Sequence, residues 1–215
     1  MNSKYLLVAL AMLALVNTGF SAGPIASTSN KPACCVKELA AASPLPDRSL
    51  YQLDSSWTDD AGAAVKLVSF RGRPQIVTMF FARCEYACPL LVHDMKRIEA
   101  ALPENVRTNV GFVLVSFDSE RDTPAALAAY RKNHNLASNW TLLRGAPDDV
   151  LELAALLGVK FKKDARGQFA HSNVITVLNG DGEVGHQHLG LNRDVTAAAT
   201  AIEKASKERN VRIKN

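Results

Sequence analysis

The stretch Gln75-Ile76-Val77-Thr78-Met79-Phe80-Phe81-Ala82-Arg83-Cys84-Glu85-Tyr86-Ala87-Cys88-Pro89 decides the fold. Its first seven residues are almost wholly apolar, as a strand buried on both faces should be. Pro89 then sits where a helix can begin, because a missing N–H costs nothing in a first helical turn. The stretch therefore predicts a buried strand over 75–81 and a helix over 89–102. Two cysteines mark the junction.

Outward from this junction, strands and helices alternate. Val110–Phe117 is a second apolar run. Asp122-Thr123-Pro124 combines a capping side chain with Pro at the first helical position, and the helix it starts runs to about Asn133. Trp140–Leu143 reads as a short strand, and 148–157 as a helix ended by Gly158. Ser172–Leu178 and Glu183–His188 flank the tight turn Asn179-Gly180-Asp181-Gly182. A closing helix covers 194–207. Upstream, Ser49–Asp54 and Ala64–Phe70 read as short strands around the turn Asp59-Asp60-Ala61-Gly62. A β-α-β half followed by a hairpin and a closing helix describes an α/β, thioredoxin-like fold. Its central β-sheet is flanked by helices, with an extra N-terminal β-hairpin.

The rest of the chain sets the context. The 215 residues suit one domain with added segments. Lys4 precedes Leu6–Val16, an unbroken apolar run of eleven residues, and small residues follow at Ser21-Ala22-Gly23. That layout reads as a signal peptide over 1–22, since a membrane-spanning helix needs about 20 apolar residues. Residues 23–48, with Pro24, Pro32, Pro44 and Pro46, read as a linker, and 49–215 as the folded domain. The expected location is outside the cytoplasm: the periplasm or the outer face of the cytoplasmic membrane. The net charge of +4 comes from dispersed Lys and Arg, without a basic stripe interleaved with aromatics, which argues against nucleic acid as a partner.

Four cysteines, Cys34, Cys35, Cys84 and Cys88, are too few for a disulfide scaffold and suit a site better. Cys84 and Cys88 lie past the carboxyl end of a central strand, where open α/β sheets gather their chemistry. Positions i and i+4 on a helical turn face the same way, about 5–6 Å apart at Cβ. Two sulfurs so placed can close on one metal ion or on each other. The neighbouring helix N-terminus favours the thiolate, which is both metal ligand and nucleophile. Thiolates select Cu(I), and an added imidazole suits copper in either oxidation state. His171, directly before the strand 172–178, is the best third ligand.

Other residues are weaker candidates. His186 and His188 share one face of an exposed hairpin strand, His93 points away from the cysteines, and Met95 suits core packing. His134 ends a helix. Asp118, at the end of a central strand, is a candidate to orient a ligand from behind. The adjacent pair Cys34-Cys35 could hand metal or electrons to the main site, pair with another chain, or be dispensable.

Taken together, these residues resemble the Sco/SenC family of copper proteins. The shared features are the C-x-x-x-C-P of Cys84 to Pro89, the stretch Asp118-Ser119-Glu120-Arg121-Asp122-Thr123-Pro124, and His171-Ser172 before a late strand. They occur in order across roughly 49–205. The chain departs from the usual pattern at Phe81-Ala82-Arg83 before the site and at Ala170 before His171. The resemblance implies copper bound by Cys84, Cys88 and His171. It also implies delivery of copper to a cytochrome oxidase subunit, or reduction of that client's cysteines. Thiol–disulfide exchange by Cys84 and Cys88 alone is the alternative activity.

Overall fold

The computed structural model describes residues 44–214, with side chains to residue 208. The expected signal peptide, most of the expected linker and the Cys34-Cys35 pair lie outside the described residues. Nine strands and five helices follow in chain order: β1 (Trp57–Asp59), β2 (Ala64–Val65), β3 (Gln75–Phe80), α1 (Ala87–Ala101), α2 (Glu104–Arg107), β4 (Gly111–Ser116), α3 (Pro124–Asn133), β5 (Trp140–Gly145), α4 (Pro147–Leu156), β6 (Phe161–Lys163), β7 (Phe169–His171), β8 (Val174–Leu178), β9 (Val184–Leu189) and α5 (Thr196–Lys214).

Seven strands form one sheet in the order β2-β1-β5-β4-β3-β8-β9. β3 runs parallel to β4, and β4 parallel to β5; β8 returns antiparallel against β3 and pairs with β9. All six residues of β3 and of β4 are buried, and so are the five of β8. Both faces of these strands are covered, which is why their sequences are apolar throughout rather than alternating. This is the thioredoxin-like arrangement, and β1–β2 is its extra N-terminal hairpin. Among the described residues no helix is long and apolar enough to cross a membrane.

That hairpin is shorter and later than the sequence predicts. The expected strand 49–54 is instead a 3-10 turn over Leu50–Gln52, capped by the Ser49 side chain on the Tyr51 N–H. Its apolar residues Leu50 and Tyr51 are adjacent and enter the core together, which a strand's alternation forbids. The expected strand 64–70 breaks after Val65 into a second such turn, Leu67–Phe70, which buries Leu67 and Phe70 three residues apart. The turn Asp59–Gly62 is as expected, with the Asp59 carboxylate accepting from the N–H groups of Ala61 and Ala63.

The larger difference lies near the site. His171 is not in a loop leading straight into β8. It ends β7, which pairs only with β6 as a separate two-stranded sheet, Phe161 facing His171 across the pair. This small hairpin projects between α4 and β8, after Gly158 turns the chain in the left-handed region (φ 66°) that favours glycine.

Candidate metal and thiol centre

Helix α1 begins at Ala87, two residues before the predicted start at Pro89, so Cys88 lies in its first turn. Tyr86, at the cap position, supplies no side-chain hydrogen bond to the exposed N–H groups. The Cys84 sulfur does so instead, accepting from the Cys88 N–H at 3.3 Å. A sulfur placed there sits in the positive field of the helix end. The loop from Phe81 to Tyr86 is closed by one internal hydrogen bond and tied to its surroundings by another. The Cys84 N–H donates to the Phe81 carbonyl, and the Ala82 N–H donates to Asp122 Oδ2 at 2.9 Å.

Asp122 was read from sequence as part of a helix start. Thr123 takes the cap, accepting from the Ala126 N–H, and Asp122 is left free to tie the cysteine loop to β4. Its Oδ2 also accepts from the Ser116 hydroxyl at 2.5 Å. Burial pushes this carboxyl above the usual carboxylate range, against those two hydrogen bonds.

His171 arrives from the other side. Its Nδ1 lies 3.1 Å from the Ser172 carbonyl oxygen, which can only accept, so Nδ1 carries the proton. Nε2 then faces Cys88 Sγ at 3.7 Å. Cys84 Sγ, Cys88 Sγ and a His171 ring nitrogen all lie within 4.8 Å of one another, the only such group of three among the described residues. Phe117 and Phe81 pack against the imidazole, with ring centroids at 5.1 and 6.2 Å. Phe169 continues this apolar wall, 5.2 Å from Phe81.

The two thiols are electrostatically unlike. Cys88 is fully buried, Cys84 only partly. Cys84 is pulled down to about 3, chiefly because the Cys88 thiol hydrogen-bonds to it. Burial opposes this, and His171 and backbone N–H groups add to it. Cys88 is pushed up, first by the same hydrogen bond, then by burial. The pair thus holds one thiolate, on the exposed member, and one retained proton. Cys84 lines an open depression of about 690 Å³ together with Tyr86, Arg166 and His171, so a reactant can approach it.

The structure brings Cys84, Cys88 and His171 together, whereas the fourth predicted residue, Asp118, pairs with Arg121. Asp118, at the end of β4, is buried, and its Oδ2 accepts from Arg121 Nε at 2.5 Å. Of the weaker candidates, His188 is buried on β9, His134 caps α3 and stacks on Tyr130 at 4.0 Å, and Met95 is in the core. Sequence reasoning missed the tying roles of Asp122 and Arg121. A usable signal was present: once Thr123 and Pro124 account for the helix start, the charged residues just before them are left to find another task.

The SCO1/SenC family model matches residues 46–207. The SCO1 protein homolog of Bacillus subtilis is 28% identical over 135 residues, 60% of this chain and 69% of its own. Among solved structures, Arabidopsis thaliana ScoI with copper bound is similar with a TM-score of 0.63 at 23% identity. The match covers 72% of this chain and 96% of that one. BsSco, a member of the Sco family of cytochrome c oxidase assembly proteins in which a disulfide switch was identified, gives 0.61 at 23% identity, covering 71% and 91%. Because the matched span takes in almost the whole described fold, the paired cysteines and the late histidine, the chain belongs to the SCO1/SenC family.

Proposed function

We propose that this chain is a copper metallochaperone: it takes up copper on Cys84, Cys88 and His171 and passes it to a client protein. The observation that carries the reading is the convergence of two sulfurs and one imidazole nitrogen within 4.8 Å. That donor set fits copper. Thiolates favour Cu(I), and the imidazole keeps Cu(II) acceptable. Structural zinc sites close four protein ligands around the ion. Here there are three donors, and two of them, Cys84 and His171, line an open depression, an arrangement suited to a cargo that must leave. The Arabidopsis relative is solved with copper bound.

The client is proposed to be the copper-bearing subunit of cytochrome c oxidase, in keeping with the assembly role named for BsSco. The apolar run at 6–16 supports export to the periplasm, with the folded domain over 49–215 acting at the outer face of the membrane.

The chain's own residues divide the work. Cys84, held as thiolate, is the first donor. Cys88 keeps its proton until an incoming cation displaces it, since the ligand must be deprotonated. His171 offers its Nε2, with the ring oriented by the Nδ1 contact to the Ser172 carbonyl. The same asymmetry favours a second reading, a thiol–disulfide reductase. There Cys84 attacks a client disulfide and Cys88 resolves the mixed disulfide.

The test is metal analysis and absorption spectroscopy of the reduced, copper-loaded protein and of His171→Ala. The expected result is one copper per chain, with a strong sulfur-to-Cu(II) band in the wild type and weakened copper binding in the variant. Equal copper affinity in the two proteins would remove His171 from the ligand set. Negligible copper uptake with rapid dithiol exchange would select the reductase reading.

A further inference from the structure

We infer that Arg121 is a positioning residue for the site: it latches the β6–β7 hairpin to the end of β4 and so sets His171 against the two cysteines. The inference rests on the three-donor reading of the site.

The hairpin needs such a latch. It shares no strand pairing with the main sheet, so its backbone alone does not fix where His171 stands. Arg121 spans the gap. Its Nε donates to Asp118 Oδ2 at 2.5 Å, and its Nη2 donates to the Gly167 carbonyl in the turn that joins β6 to β7. Asp118 is buried and follows directly after Phe117, the ring that packs on the imidazole. The loop carrying the latch is itself anchored, because Arg144 on β5 donates through Nη2 to the Ser119 carbonyl at 2.5 Å.

Gly167 is fitted to the contact. It has φ 76°, and a Cβ added there would lie 2.6 Å from Arg121 Nη1. A planar fork of donors bonds a carboxylate and a carbonyl at once; a lysine ammonium is a point charge on a flexible stem and does not reproduce that bridge. This also gives Asp118 its connection to the site: it orients the arginine, and the arginine orients the hairpin.

The experiment compares wild type, Arg121→Lys and Arg121→Gln. A double variant, Asp118→Asn with Arg121→Gln, leaves no buried carboxylate unpaired and covers the case in which Arg121→Gln fails to fold. Three quantities are read: the His171 ring resonances in the copper-free reduced protein, the copper affinity by chelator competition, and the rate of Cys84–Cys88 oxidation.

The expected result is a shift or broadening of the His171 resonances in the Gln variants, with Arg121→Lys only partly restoring them. Copper affinity falls 10- to 100-fold, the usual effect of removing a group that orients a ligand. Dithiol oxidation changes less than threefold, because the cysteine loop hangs from Asp122. His171 resonances that stay in place in a folded Gln variant overturn the latch, whatever copper does. If the wild type itself takes up no copper while the resonances still move, the latch stands and the copper reading falls.

Discussion

The two halves of the site are held in different ways. Cys84 and Cys88 hang from the central sheet, where β3 lies between β4 and β8 and every residue of the strand is buried. His171 stands on a hairpin of three-residue strands with part-exposed faces, held by side chains: the rings of Phe117, Phe161 and Phe169, and the Arg121 bridge. The difference teaches which part of the site can move. Dithiol geometry is tied to global stability, whereas the third donor can shift while the fold stays intact. Such a division would suit the proposed copper carrier, because the two thiols stay assembled if the histidine shifts.

The sharpest way to break this comparison is to damage one region at a time. Phe112 is fully buried on β4 and stacks on Trp140 at 4.7 Å. It lies at the start of the strand, far along the chain direction from the cysteine end. Phe112→Ala should destabilise the protein by about 3–5 kcal/mol in denaturant unfolding. In the fraction that remains folded, copper affinity should be unchanged. Phe169→Ala removes a half-buried ring from the hairpin and should cost only about 1–2 kcal/mol. Its copper affinity should fall tenfold or more, because the wall behind the imidazole is gone. If the two variants lose affinity in proportion to stability, the halves of the site are one mechanical unit and the comparison fails.

The two regions were also unequally legible in the sequence. β3, β4 and β8 declare themselves, because a strand buried on both faces is apolar at every position. Cys84 and Cys88 follow from the strand-to-helix junction beside them. The N-terminal strands were misplaced because Leu50-Tyr51 and Leu67 with Phe70 are as apolar as a strand, yet enter the core from 3-10 turns. The hairpin left no periodic signal at all. Phe161-Lys-Lys and Phe169-Ala-His are too short to show alternation, and their pairing depends on Phe117, more than forty residues away in the chain. His171 was found by its position before a late strand, not by reading the hairpin. Arg121 was hidden for the same reason: its partner Gly167 is brought near only by the tertiary fold.

A second measurement asks which half of the site polarises Cys84. The leading cause of its low pKa is the Cys88 thiol, and the His171 hydrogen bond ranks below it. A hydrogen bond to a charged group contributes about 1.5–3 kcal/mol, roughly one to two pH units. In the reduced, copper-free protein, alkylation of Cys84 should persist well into the acid range. It should fade only as pH drops through the depressed pKa, where the thiolate takes up its proton. Cys88→Ala should raise that midpoint by one to two units, so reactivity fades at higher pH. His171→Ala should raise it by less. The opposite ranking would mean that the hairpin, not the scaffold, sets the nucleophile.

The smallest effect concerns the outer edge of the hairpin. Lys163 reaches Glu120 at 2.7 Å, so β6 is tied to the same loop that carries Arg121. Both side chains are well exposed, at 39% and 77%, and exposed pairs of this kind contribute about 0–1 kcal/mol and are screened by salt. Lys163 also lies 5.8 Å from the centre of the Phe169 ring, a contact of similar size. Lys163→Ala should therefore change stability by less than about 1 kcal/mol and copper affinity by less than threefold, and the effect on stability should shrink further with added salt. The Arg121 bridge differs in that its carboxylate partner is buried, where the charge must be answered within the protein. A loss on Lys163→Ala as large as that of Arg121→Gln would mean that surface charge, rather than the buried arginine, holds the histidine in place.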